Sequence, residues 1–142
     1  MKQLVLASGN PGKLRELAEL LTDLGYQLSA QSEFDVAEVP ETGTTFVENA
    51  IIKARHAATI TGLPALADDS GIEVDALDGA PGVYSARFAG ADANDAANNA
   101  LLVQKLRYVP AAERCARYRA VIVLMRHARD PSPLISKGAG KA

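Results

Sequence analysis

The 142-residue chain has one cysteine, no tryptophan, three phenylalanines and four tyrosines. A lone Cys115 excludes an internal disulfide and a cysteine-based metal cluster, and it suits a reducing compartment. Scarce aromatics leave the core to aliphatic side chains, chiefly Ala, Leu, Val and Ile. The formal charge is only −2, so no global basic field exists to hold a nucleic-acid polymer or a membrane surface, and any anion must be bound locally. No apolar run approaches the roughly 20 residues that span a bilayer. The opening MKQLVLASGN is too brief an apolar stretch for a signal sequence. These absences point to a cytoplasmic protein with no membrane or nucleic-acid partner. With 48% hydrophobic and 23% charged residues, the composition is that of one ordinary globular domain over residues 1–142.

Gln3 to Ala7 (QLVLA) reads as a buried strand broken by Ser8-Gly9-Asn10. A helix follows, with Asn10 as N-cap, Pro11 at the first position, an apolar stripe of Leu14, Leu17, Ala18, Leu21 and Leu24, and Gly25 as the stop. Tyr26 to Gln31 reads as a second strand and 32–44 as an aperiodic loop. Thr45 and Glu48 have capping-box spacing ahead of a helix over 46–61, which Gly62 stops and whose Ile51, Ala54 and Ala58 face the core. Leu63 to Asp68 and Ile72 to Ala76 read as two strands joined by a sharp Asp69-Ser70-Gly71 connection. Residues 77–92 are dense in Gly and Pro and predict a shaped loop with a short helix after Pro81; a third helix runs over 95–107, closed by Pro110. Arg114 to Met125 is a long strand, Asp130 to Pro133 a turn, and Leu134 to Ser136 a last strand that KGAGKA ends. Alternating strands and helices followed by hairpin-like strands predict an α/β protein with a mixed central sheet and flanking helices.

Two constellations carry chemistry. The first is Ser8-Gly9-Asn10-Pro11-Gly12-Lys13, a strand-to-helix junction whose small residues and open N–H groups suit a phosphate. Lys13 lies in the first helical turn, where the macrodipole disfavours a cation by roughly 0.3–1 kcal/mol, so a bound anion would account for it. The bland alternative is an Asn-capped helix with a solvated lysine. Neither this junction nor the C-terminal glycines fit a P-loop. The second is the acidic set Glu38, Glu41, Glu48, Asp68 and Asp69. Mg²⁺ needs only one or two carboxylates when substrate phosphates complete its shell. Strand alternation would send Asp68 and Asp69 to opposite faces, one toward the site and one supporting it; the bland alternative is a solvated turn. Lys53 and Arg87 read either as phosphate ligands or as solvated side chains. His56 and His127 fit no metal spacing and read as surface or capping residues, and Cys115 as packed in a strand. Ser70 lacks the G-x-S-x-G context of a nucleophile and reads as a turn residue or a phosphate-binding hydroxyl.

Taken in order, SGNPGK at 8–13, VPETGTTFVENAIIKARHAA at 39–58, ADDSGIEVDALDGAPGVYSARFAG at 67–90 and the strand ending in RHA resemble the inosine triphosphatase (dITP/XTP pyrophosphatase) family over about residues 1–136. The resemblance implies hydrolysis of non-standard purine nucleoside triphosphates (dITP, ITP, XTP) to the monophosphate and pyrophosphate, with Mg²⁺ as cofactor. It implies an α/β fold of two lobes around a cleft, and a homodimer. Residue by residue, Ser8, Asn10 and Lys13, within the Ser8–Lys13 segment, match the family's phosphate-binding start, and Lys53 its helix lysine. Glu41 and Asp69 match the metal-binding acids; Asp69 matches the general base, Asp68 supports it, and Ser70 lies on the substrate.

The C-terminus departs from the family pattern. Family members continue with a Gly-Phe-Gly-Tyr-Asp-Pro stretch and a Ser-His-Arg motif that hold the purine, and this sequence contains neither. The expectation is a C-terminally truncated domain that retains the phosphate and metal half of the site, with base discrimination suffering most. The rival expectation is a catalytically impaired nucleotide- or polyphosphate-binding, or dimerisation, remnant.

Overall fold

Val5 and Leu6 are wholly shielded from solvent, as an apolar strand flanked by partners on both sides must be. They belong to β1 (Lys2–Leu6) in a computed structural model that describes residues 2–141. β1 pairs in parallel with β2 (Tyr26–Ala30), from Lys2 opposite Tyr26 to Leu6 opposite Ala30, and with β3 (Ala65–Val74), Val5 opposite Ala65. β4 (Ala116–Met125) and β5 (Leu134–Lys141) complete a five-stranded sheet in the order β2-β1-β3-β4-β5. At the end of β3 the Asp75 N–H donates to the Cys115 carbonyl, just ahead of β4, so β4 runs back along β3 and the sheet is mixed.

α1 (Pro11–Thr22) begins at the Asn10 cap and α2 (Phe46–Thr61) at the Thr45–Glu48 box, where Thr45 Oγ1 accepts the Glu48 N–H at 3.2 Å. Gly62 ends α2 at a φ of 68°, a left-handed conformation in which it returns its N–H to the Ala58 carbonyl. α3 (Asp95–Lys105) starts at Asn94, whose side chain takes the Ala97 N–H. Of the expected stripe on α1, Leu14, Leu17, Ala18 and Leu21 are half-buried, but Leu24 is exposed, because the helix has already ended at Thr22.

Two readings are corrected. Asp69-Ser70-Gly71 makes no turn: β3 runs unbroken through it, and burial alternates from Ala65 to Gly71. Pairing with β4, the next strand of the sheet, outweighs the local turn preference of Asp, Ser and Gly, although the β1 ladder reaches only to Leu66. Likewise Lys137 to Lys141 continue β5 instead of ending it, since β4 supplies the ladder that the glycines alone would not favour. The short helix after Pro81 is a 3₁₀ turn over Gly82–Arg87.

The chain divides into two compact units, one running to Asp68 and including Val121–Ser136, the other Asp69–Ala120 with the chain from Lys137. The core of the first packs Val5, Ala7, Ala65, Ala67, Val121, Val123 and Met125 of the sheet region against Ala50, Ala54, Ala57 and Ala58 of α2. Four alanines on one helical face add little side-chain bulk between α2 and the strands, and Phe46, Val47 and Ile51 pack against the same core. In the second unit, Asn98 ties α3 to the loop before it: its Oδ1 accepts the Ala89 N–H at 2.9 Å and its Nδ2 donates to the Ala86 carbonyl at 3.0 Å.

After β4 the chain is turned by Asp130, 1% exposed, whose carboxylate accepts from Arg126 Nε at 2.8 Å, from the Arg126 N–H and from the Ser132 N–H. The Arg126 guanidinium holds the Asp130 carboxyl well below its ordinary 3.8. A depressed folded-state pKa means that ionised Asp130 stabilises the fold above pH 3.8, and the contribution is lost as pH falls from there through the folded value. Asp130→Asn should therefore lower the melting temperature at neutral pH, and the gap to the parent should narrow when both are melted at steps below pH 3.8; a gap constant across that range would contradict the assignment.

Candidate phosphate-binding site

β1 delivers the chain into the Ser8–Lys13 junction. Ser8 Oγ accepts the Asn10 N–H at 3.1 Å, and Asn10 Oδ1 accepts the N–H groups of Gly12 at 2.9 Å and Lys13 at 3.3 Å. The Leu14 N–H goes to the Asn10 carbonyl and Pro11 has none to give. The first-turn amides of α1 are thus already used, so the open N–H groups expected from the sequence are not on offer. What this terminus presents to an anion is its dipole, the bare backbone of Gly9 and Gly12, and lysine side chains.

The lysines converge on Asp68. Lys13 Nζ bonds Asp68 Oδ2, and Lys53 Nζ donates to the Asp68 carbonyl at 2.5 Å while pairing with Glu41 Oε1 at 2.9 Å. This resolves why a lysine occupies the first turn of α1: its anion is supplied within the chain, by a carboxylate 55 residues away. Two cations are balanced by two carboxylates, and a polyphosphate entering here must displace or share those partners. Glu38 lies on the same side, since a Cβ placed on Gly9 would come within 3.0 Å of its Oε1.

His56, read as a surface or capping residue, has a partner distant in the chain. It is half-buried on α2 and its Nε2–H donates to the Ala37 carbonyl at 2.9 Å. His127 is exposed, its Nδ1 accepting the Arg129 N–H in a local turn. Cys115 is exposed ahead of β4, not packed within it. Periodicity also passes over Asn49, which is fully buried on α2. An amide among the core-facing alanines of NAIIKARHAA is the signal that would have found it.

Asp69 and Ser70 lie in the second unit. Asp69 is 8% exposed, whereas Ser70, the next residue of β3, is exposed, as alternation requires. Ser70 lines a cavity of about 340 Å³ with Ser85, Phe88, Asn98, Leu102 and Tyr118. Arg87 stacks over Tyr84, 5.0 Å from the ring centroid.

Among the described residues no group of three His, Cys, Asp or Glu side chains can enclose a metal ion. The donor set therefore does not suit a resident structural metal. It does suit Mg²⁺ brought on a polyphosphate, which needs one or two carboxylates and takes its other oxygens from phosphate and water. The charge balance agrees, because lysines already matched by Asp68 and Glu41 leave a polyanion in need of further positive charge.

A parallel strand feeding a capped helix, with two lysines meeting at Asp68 of the neighbouring strand, defines an α/β protein whose cations gather beside a strand-to-helix junction. The Ham1 family profile matches residues 4–141, and the chain belongs to that family. It is similar to the dITP/XTP pyrophosphatase of Xylella fastidiosa strain Temecula1, 65% identical over 138 residues that cover 97% of this chain and 69% of the relative. The dITP/XTP pyrophosphatase of Vibrio parahaemolyticus is 62% identical over the same shares. Among solved structures, a HAM1 protein from Coxiella burnetii superposes with a TM-score of 0.94 at 51% identity, covering 99% of this chain and 72% of that one. A nucleoside-triphosphatase/dITP/XTP pyrophosphatase from Mycobacterium abscessus gives 0.84 at 42% identity, covering 98% and 72%.

The two lysines should differ in their effect on stability. Lys53→Met strips a charged partner from both Glu41 and the Asp68 carbonyl in a setting where the Lys53 side chain is 20% exposed, and should cost about 1.5–3 kcal/mol. Lys13→Met, at a more solvated pair, should cost less than about 1 kcal/mol. Urea denaturation of both variants checks the order; equal losses would show that burial does not separate the pairs.

Proposed function

We propose that the chain hydrolyses non-standard purine nucleoside triphosphates (dITP, ITP, XTP) to the monophosphate and pyrophosphate. The observation that carries this reading is the convergence of Lys13 and Lys53 on Asp68 beside the α1 terminus, in a chain whose close relatives are named for that reaction.

Lys13 and Lys53 exchange their carboxylate partners for phosphate oxygens and neutralise them, with the α1 dipole adding to the field. Ser8 and Asn10 hold the junction in shape, and Ser70 offers a hydroxyl to the substrate. Asp69, largely withdrawn from solvent, orients a water and takes its proton as the oxygen attacks the α-phosphorus. The bond from the α-phosphorus to the bridging oxygen breaks, and pyrophosphate departs with the bonding pair. Glu41 and Asp69 are the acids assigned to Mg²⁺, which supplies charge neutralisation of the phosphates when bound. Asp68 supports the site by positioning both lysines.

We assign the chain to the cytoplasm, where nucleoside triphosphates and a lone reduced cysteine belong together; no helix among the described residues is long and apolar enough to cross a membrane. Homodimerisation is part of the same reading, and the exposed Tyr84, Val103 and Tyr118 of the second unit leave apolar surface for a second copy.

With Mg²⁺ the purified chain should release pyrophosphate from dITP faster than from dATP, and chelation should stop it. Asp69→Asn should reduce the rate by about 10²–10⁴. Coupled pyrophosphate detection reads both; absence of turnover in the parent would identify a binding remnant, and full activity in Asp69→Asn would remove Asp69 as the base.

A further inference from the structure

Asn49, Lys53 and His56 occupy positions i, i+4 and i+7 of α2, so their side chains rise along one face of the helix. The loop ahead of α2 runs back along this face and is bonded to each in turn. The Gly43 N–H donates to Asn49 Oδ1 at 2.7 Å, Glu41 Oε1 meets Lys53 Nζ at 2.9 Å, and the Ala37 carbonyl accepts from His56 Nε2 at 2.9 Å. From Asn49 to His56 the helix rises about 10 Å, whereas the six residue-to-residue steps from Ala37 to Gly43 would reach about 20 Å if extended. The loop is slack by about half its reach, so bonds to α2, not chain tension, must set where Glu41 stands.

Asn49 is the stay nearest Glu41 that is wholly out of solvent, at 0% exposure. Its contact with the loop is close: a Cβ on Gly43 would sit 2.6 Å from Glu48 Cβ and 2.7 Å from Asn49 Oδ1. Its Nδ2 is buried with no hydrogen-bond partner among the described residues, a condition that costs roughly 1–3 kcal/mol. A leucine of similar size would carry no such penalty at this core position. An asparagine that bears the cost of an unmet donor to hold one backbone N–H is placed for that bond.

We propose that Asn49 is a positioning residue, which through Gly43 holds the 37–43 loop so that the Glu41 carboxylate is presented at a fixed height to the metal–nucleotide. The proposal rests on the reading of Glu41 as a metal-binding acid. Lys53 and Asn49 then share the task, Lys53 on the carboxylate itself and Asn49 on the backbone two residues away.

The test uses the full chain, with Asn49→Leu and, from the loop side of the same contact, Gly43→Ala. Amide hydrogen exchange across 41–44 should accelerate by about tenfold or more in both, while exchange in β1 and β3 is retained. Mn²⁺ affinity, followed by electron paramagnetic resonance in the presence of the α,β-methylene analogue of dITP, should weaken about 10-fold or more. In turnover the Mg²⁺ needed for half-activation should rise similarly with KM for dITP little changed. Unaltered exchange in both variants overturns the proposal, as does faster exchange with unchanged Mn²⁺ affinity. If the parent binds the Mn²⁺ analogue and the variants lose it, the proposal holds even where dITP is not turned over, and only the proposed reaction falls. A parent that binds no Mn²⁺ with the analogue overturns the role given to Glu41 and the proposal with it.

Discussion

Asp68 is the residue on which two helices and the sheet settle their positions. Its carboxylate takes Lys13 from the first turn of α1 and its carbonyl takes Lys53 from the middle of α2. A side chain and a backbone atom of one residue necessarily point in different directions, so the two lysines approach from separate sides without competing for one acceptor. That arrangement requires Asp68 to lie in a regular strand. β3 supplies it through its parallel register with β1, Val5 opposite Ala65 and Leu6 opposite Leu66, which sets Asp68 beside the junction into which β1 feeds. The interaction also offsets the dipole penalty on Lys13, a cation at the wrong end of its helix.

α2 does two jobs with different faces. Ala50, Ala54, Ala57 and Ala58 bring its backbone close to the strands, and Asn49, Lys53 and His56 carry the loop that bears Glu41. Close packing on the first face fixes the rotation of the helix about its axis, and that rotation fixes where the second face points. Core and site are therefore coupled through one rigid element, and a change in the alanine face would be felt at Glu41 without touching it.

The electrostatic design is local. With a formal charge of −2 the chain offers no general attraction for nucleotides, and Lys13 and Lys53 are matched by Asp68 and Glu41. A site balanced in this way avoids the repulsion of two adjacent unneutralised ammonium groups in a partly buried setting. An anion that takes either lysine must exchange partners with Asp68 or Glu41.

Much of this was legible from short stretches of sequence. Asn10 and Pro11 opened α1, Thr45 and Glu48 opened α2, and Gly62 closed it, because capping involves residues three or four apart and is decided by a few consecutive dihedrals. The motif set pointed to Lys13, Lys53, Glu41 and Asp68, the residues that meet in the first unit. The same local rules misread Asp69-Ser70-Gly71 as a turn, since pairing with β4 outweighs the preferences of three residues. They left Lys13 between an external anion and solvent, read His56 as a surface or capping residue, and passed over Asn49. Each of those depends on a partner distant in the chain, Asp68, Ala37 or Gly43, and a partner brought near by register, helix rotation and loop path is set by packing, which no window of neighbouring residues contains.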